Sequence, residues 1–239
     1  MRGSIPWQPP RPDRYTIAEL AIEPRATALL LLDLQVAHLD PERGLGRRLR
    51  ATPAQHAYYY TRVAEVVLPN VARLQAFFRA HRLPIVYTRL GLLTADGREL
   101  ASWSWHAAAQ RVAGDIPPRY PPGAPERELW PSLAPRPDEL VLDKSTLSPF
   151  NSTMLDQYLR NMGVENLVIA GVLTDAAVET TARSAGDRGY NTIVVEDACA
   201  ALAAEHHTAA LATASWYVCK RTDEVLAQLG ALLETDGPR

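Results

Sequence analysis

Residues 27–32 carry an unbroken Ala-Leu-Leu-Leu-Leu run that ends on an acid, Asp33. Strict alternation of apolar and polar positions would mark a strand wetted on one side. A continuous run of this length marks a strand buried on both faces, as a parallel sheet covered by helices requires. From residue 60 to about 82 the period changes: Val63, Val66, Val67, Val71, Leu74, Phe77 and Phe78 recur at helical spacing, and 83–88 reads again as a strand, completing a βαβ unit. The stretch 115–137 holds eight prolines, which excludes regular helix and central strand and predicts a long ordered loop. Beyond it the alternation resumes. Strands are predicted at 139–142, 166–170, 192–195 and 216–219, and helices at 153–162, 175–186, 204–215 and 223–233. Repeated strand and helix at this spacing argue for an α/β fold, a parallel sheet with helices on both faces and right-handed crossovers. Residues 1–25, rich in proline and charge, read as an N-terminal arm on a single domain spanning 1–239.

Composition narrows the function classes. Hydrophobic residues make up 47% of the 239, charged residues 22%, and the net charge is only -2, so the chain is neither disordered nor held to nucleic acid by a basic patch. No apolar run approaches the roughly 20 residues of a membrane helix, and residues 1–12 have no apolar signal core, which predicts a protein off the membrane and in the cytoplasm. Two cysteines, Cys199 and Cys219, are too few for a disulfide framework and read as buried thiols. The consecutive tyrosines Tyr58, Tyr59 and Tyr60 at the start of the long helix read as packing on a neighbouring subunit.

In open α/β sheets ligands bind outside the carboxyl ends of the strands, so the polar residues there carry the chemistry. Asp33 follows the first strand, Lys144 follows 140–143, and Gly171-Val172-Leu173-Thr174-Asp175-Ala176-Ala177 follows the strand ending at Ala170. A carboxylate and an ammonium at one strand edge either form an ordinary ion pair or move protons and orient a nucleophile once desolvated. Thr174 is a good N-cap residue, which would put Ala177 at N3 of the next helix, in the field that favours an anion. Alanine supplies neither nucleophile nor base. From spacing alone this helix start is a cradle for an anion or oxyanion.

Three motifs in order carry a family resemblance: Asp33-Leu34-Gln35 after an apolar strand, Lys144 with Ser148 and Phe150 as K-x-x-x-S-x-F, and Gly171-Val172-x-Thr174-x-x-Ala177-Val178. Over about residues 24–230 the chain resembles the isochorismatase-like cysteine hydrolases. The resemblance implies a Rossmann-like three-layer fold with a six-stranded parallel sheet and an Asp-Lys-Cys triad that cleaves a C–N bond of a small amide or ureido substrate. Carried over, Asp33 is the general base, Lys144 holds thiolate and carboxylate, and the backbone N–H groups of Leu173 and Ala177 form the oxyanion hole. A non-proline cis peptide is expected between Val172 and Leu173, and a homodimer or homotetramer is implied.

The cysteine of that pattern is Ala177 here. Three explanations stand: an engineered Cys-to-Ala variant, favoured because Asp33, Lys144 and Thr174 remain; a natural pseudoenzyme that still binds a small molecule; or a cysteine-free isochorismatase, a vinyl-ether hydrolase that uses the aspartate as acid. Glu23-Pro24-Arg25 resembles the last group, which carries Ala-His where Thr174-Asp175 stands. For substrate contacts, Tyr87-Thr88-Arg89-Leu90-Gly91 resembles a biuret-hydrolase segment. Arg89 either binds a carboxylate or ureido oxygen in fork geometry or caps the sheet edge. Gln35, Phe150 and Thr174 are the other candidate substrate residues, with Trp103 and Trp105 as possible apolar walls. Nicotinamidases of the family hold a metal through an Asp-x-His segment and a further His, and residues 89–94 contain no such cluster, so no metal is expected. His38 reads as hydrogen-bonded structure, and His206 and His207 as one surface and one satisfied residue. No G-x-G-x-x-G follows a strand, so no dinucleotide cofactor is expected.

Overall fold

A computed structural model describes residues 20, 22–100, 119–214 and 216–235. Six strands, β1 (Thr27–Leu32), β2 (Ile85–Leu90), β3 (Leu140–Lys144), β4 (Asn166–Val172), β5 (Asn191–Ala200) and β6 (Val218–Lys220), form one sheet in the order β3-β2-β1-β4-β5-β6. Every pairing is parallel. The strand order reverses between β1 and β4, where the crossovers leave to opposite sides and open a crevice at the carboxyl edge.

The apolar run of β1 has its strand-period explanation. All six of its residues are buried. Leu29 and Leu31 pack into one core layer, and Ala28, Leu30 and Leu32 into the other. The first layer is closed by the helical segment α3 (Pro53–Arg62), a π-helical turn (Val63–Val67) and α4 (Leu68–Ala80), and by α8 (Thr222–Thr235). The second is closed by α5 (Leu155–Asn161), α6 (Glu179–Asp187) and the inner side of α7 (Ala204–Ala212). Two short helices, α1 (Val36–Leu39) and α2 (Gly44–Leu49), sit between β1 and α3.

Several expected boundaries move for identifiable reasons. The long helix begins at Pro53, where proline fits the first helical turn, not at Tyr60. Pro69 has no N–H to give the Glu65 carbonyl, and the ladder passes that point through the π turn, with Leu68 N donating to Val63 O. Tyr59 and Tyr60 lie in the chain's own core rather than on a partner, and Cys219 is only half-buried while Cys199 is fully enclosed. β3 runs on to include Lys144, and β5 extends to Ala200 through a register shift opposite Ile169 and Gly171.

The described part of the proline-rich segment is indeed ordered, and it crosses the carboxyl ends of β1 and β2. Leu129 bridges Gln35 antiparallel, Trp130 N donates to Leu34 O at 2.8 Å, Val36 N to Glu128 O at 2.9 Å, and Leu92 N to Tyr120 O at 2.9 Å. Residues 115–118, with Trp103 and Trp105, lie outside the described residues. Among the described residues no helix is long and apolar enough to cross a membrane.

Gly171 shows how tightly β1 and β4 approach at the crevice. Its φ is +133°, and a Cβ there would stand 2.2 Å from the carbonyl oxygen of Leu32, the residue before Asp33. Gly171→Ala is therefore expected to destabilise the protein by about 3 kcal/mol or more, measured by urea unfolding. A loss below about 1 kcal/mol would show that the strands part without cost.

Candidate active site

Asp33 leaves β1 in a left-handed conformation, φ +56°, which costs a non-glycine residue roughly 1–2 kcal/mol and has to be held from outside. Its surroundings supply that hold. The Asp33 N–H donates to the Thr88 carbonyl and to Thr88 Oγ1, each at 3.2 Å, while the Asp33 carbonyl accepts Gln35 N at 2.8 Å and His38 Nδ1 at 2.9 Å. A carbonyl only accepts, so Nδ1 of His38 carries the proton. Burial lowers the His38 pKa, which keeps the ring neutral in this seat.

The carboxylate itself has two partners. Thr88 Oγ1 donates to Oδ1 at 2.6 Å, and Lys144 Nζ donates to Oδ2 at 2.7 Å. Lys144 is wholly buried and Asp33 is 1% exposed. The remaining protons of Nζ go to the carbonyls of Thr146 at 3.1 Å and Leu147 at 2.9 Å, so three acceptors surround it. A neutral amine has two N–H bonds and an ammonium three, so the seat is that of the ammonium. Burial pushes the Lys144 pKa down, and the Asp33 charge and hydrogen bond oppose that shift.

On the other side of the crevice the peptide bond between Val172 and Leu173 is cis, as the motif implied. The next turn is π-helical, Thr174–Val178, and Leu173 rather than Thr174 is its N-cap. Thr174 is the first helical residue, and its hydroxyl turns away from capping to meet His207 Nδ1 at 2.8 Å. The physical reason is on His207. Arg62 Nη2 donates to its Nε2 at 2.9 Å, which leaves the proton on Nδ1, facing Thr174. Burial and Arg62 lower the His207 pKa to about 4. Ala177 is 3% exposed within this turn and offers only a methyl group.

The other sequence candidates separate from the pair. Gln35 spends its amide on the scaffold: Nε2 donates to Leu90 O at 3.2 Å and Arg127 O at 2.8 Å, and Oε1 accepts Leu90 N at 2.8 Å. Arg89 grips Asp143 with Nε at 2.8 Å and Nη2 at 3.2 Å and reaches Glu128 with Nη1 at 3.2 Å, which is the sheet-edge role. Phe150 packs in the second core layer, its ring 5.9 Å from that of Tyr190 and under the Arg188 guanidinium. His206 is exposed beside Asp175. Among the described residues no group of three or more His, Cys, Asp or Glu is placed to hold a metal.

One residue whose charge acts on the pair is not marked by the motifs. Arg119, on the proline-rich segment, has a buried Nη1 with no hydrogen-bond partner. The only signal in the sequence is a basic residue just ahead of Tyr120-Pro121-Pro122 in a segment that has to cross the strand ends.

Comparison with known proteins bears on the family and the fold. The isochorismatase domain family matches residues 27–224. A ureidoacrylate amidohydrolase, RutB, of Methylobacterium radiotolerans is 29% identical over 201 residues, 81% of this chain and 74% of its own. YecD of Escherichia coli, an uncharacterised isochorismatase family protein, is 29% identical over 192 residues, 79% and 87% of the two chains. The crystal structure of a cysteine hydrolase from Pseudomonas syringae superposes with a TM-score of 0.73 at 25% identity, covering 90% of this chain and 97% of its own.

Two outcomes are expected. Lys144→Met leaves a buried carboxylate unpaired and should cost about 3–5 kcal/mol in urea unfolding; adding Asp33→Asn should recover part of that loss, and simple additivity of the two would show that they are not a pair. For His207 the folded pKa of about 4 lies below the unfolded value near 6.5, so the unfolded chain binds the extra proton between those limits. Stability should fall as pH drops from about 6.5 toward 4, and His207→Gln should flatten that part of the melting-temperature profile; an unchanged slope would place the titration elsewhere.

Proposed function

The chain belongs to the isochorismatase family, and on that premise we propose that it takes a small amide or ureido compound in the crevice between β1 and β4, with Asp33 as proton carrier and Lys144 as its charge partner. Ala177 leaves it without the nucleophile that would open the C–N bond. The observation that carries this reading is a buried carboxylate–ammonium pair, bonded at both carboxylate oxygens, at the end of β1, the strand paired with the β4 strand from which the turn holding Ala177 departs. The similarity to a ureidoacrylate amidohydrolase supports the substrate class.

With a thiol at 177 the steps balance as follows. Asp33 takes the thiol proton, the thiolate adds to the carbonyl carbon, and the backbone N–H groups of Leu173 and Ala177 receive the developing oxyanion. Protonated Asp33 returns its proton to the leaving nitrogen, which departs as ammonia or amine, then draws a proton from the water that cleaves the thioester and hands it to the departing thiolate, restoring carboxylate and thiol. Lys144 fixes the carboxylate throughout. None of the present thiols replaces position 177: burial pushes Cys199 up to about 12 and Cys219 up to about 11, which keeps both protonated and unreactive.

A second reading rests on the same pair being intact without sulfur. In that reading Asp33 first takes up a proton and then acts alone as the general acid on a vinyl ether. The two readings part in one experiment. In the first, Ala177→Cys releases ammonia from a panel of small ureides and primary amides, the alanine protein does not, and Asp33→Asn added to Ala177→Cys lowers the rate by about 10²–10⁴-fold. Ammonia release by the alanine protein at the rate of Ala177→Cys would overturn it. Cleavage of a vinyl ether by the alanine protein, lost in Asp33→Asn, would establish the second.

A further inference from the structure

We propose that Arg119 is the specificity-determining residue of this crevice and that its buried guanidinium nitrogen receives the carboxylate of an anionic substrate. The inference rests on the reading of the crevice as the ligand site and adds to it the charge class of the ligand.

Three observations carry it. The first is the orphan donor. Nη1 of Arg119 is enclosed and makes no hydrogen bond, whereas almost all buried polar groups in folded proteins are paired. A desolvated N–H of a permanently charged group is costly to leave unmade, and a carboxylate oxygen relieves that cost through a charge-assisted bond. A neutral amide does so less well.

The second is the anchoring of the backbone beside it. The carbonyl of the next residue, Tyr120, accepts Leu92 N at 2.9 Å, and Gly91 lies so close beneath it that a Cβ there would stand 2.8 Å from that oxygen. Leu92 in turn accepts Arg127 Nη1 at 2.7 Å. The backbone next to Arg119 is thus tied just beyond the end of β2, the strand that supplies Thr88.

The third is the charge balance. Asp33 and Lys144 offset each other in their ion pair. Arg119 feels both: the Asp33 charge raises its pKa against desolvation, and its own charge lowers that of Lys144. Arg48 adds positive potential, and Glu99, already engaged by Thr94 and the Leu93 N–H, opposes it more weakly than Asp33 does. With Asp33 taken by Lys144, the guanidinium is left as the positive charge that a ligand carboxylate would balance. The same arrangement explains why Arg89 is spared for structure: both faces of its fork are already filled by Asp143 and Glu128.

The test compares 3-ureidopropionate with its neutral primary amide, and acetate as a bare carboxylate, by calorimetric titration of the alanine protein. The acid is expected to bind about ten- to a hundredfold more tightly than its amide. Arg119→Met should erase that preference while leaving the protein folded, with a cooperative melting transition, and the affinity for the neutral amide within about twofold, and Arg119→Lys should keep part of the preference. Equal affinity for acid and amide, or a preference that survives Arg119→Met, would overturn the assignment while leaving the ureido reading in place. Acetate binding lost in Arg119→Met, with no binding of either ureido compound, would uphold Arg119 and overturn the ureido reading. No binding of any of the three probes would overturn both.

Discussion

Two opposite charges taken fully out of water are stable only if every bond they made with water is replaced. The Asp33–Lys144 pair meets that condition, and much of the crevice follows from meeting it. The ammonium needs three acceptors: Asp33 supplies one, and the turn after β3 bends so that the carbonyls of Thr146 and Leu147 supply the others. The carboxylate needs a second donor, which Thr88 provides from β2. Neither works unless Asp33 is turned out of the strand. That turn is a left-handed residue held by Thr88, Gln35 and His38. A guanidinium in place of Lys144 would present a planar fork to three acceptors disposed around a point, so this position suits lysine in a chain whose 25 basic residues are otherwise almost all arginine.

The topology places this costly pair where chemistry has room. β1 and β4 are neighbours at the reversal of strand order, and their close approach at Gly171 brings the start of the post-β4 turn to the same edge as Asp33. Burial on both faces of β1 gives that edge a rigid base. The described part of the proline-rich segment is tied to the same edge through Leu34, Gln35 and Leu92. Its own hydrogen bonds make only two single-turn 3-10 helices, Pro125–Arg127 and Pro131–Leu133, and the bonds that tie it to the sheet run to residues at the ends of β1 and β2.

Much of this was legible from the chain. The double-sided burial of β1, the βα alternation and the position of Asp33 at a strand end are local patterns, and local patterns survive folding. Lys144 was legible as a partner because the motif around it has fixed spacing. What was not legible depends on contacts far apart in sequence. Arg89 and Gln35 have the right residue types at the right strand ends, yet Asp143, Glu128 and the backbone at Leu90 and Arg127 occupy them. Thr174 has the composition of an N-cap, yet His207, 33 residues on and oriented by Arg62, takes its hydroxyl. Arg119 gave almost no signal, because an unpaired donor is defined by what fails to come near it.

The protonation state of Lys144 decides whether the crevice is built around an ion pair. The chain has only two lysines, Lys144 and Lys220, so a ¹⁵N–¹H correlation spectrum of lysine side chains shows each separately. At pH 7 the Lys144 nitrogen is expected to carry three slowly exchanging protons with an ammonium shift, and Asp33→Asn is expected to move that signal and speed its exchange. A two-proton amine at pH 7, or an ammonium signal indifferent to Asp33→Asn, would mean that the buried pair does not organise this site.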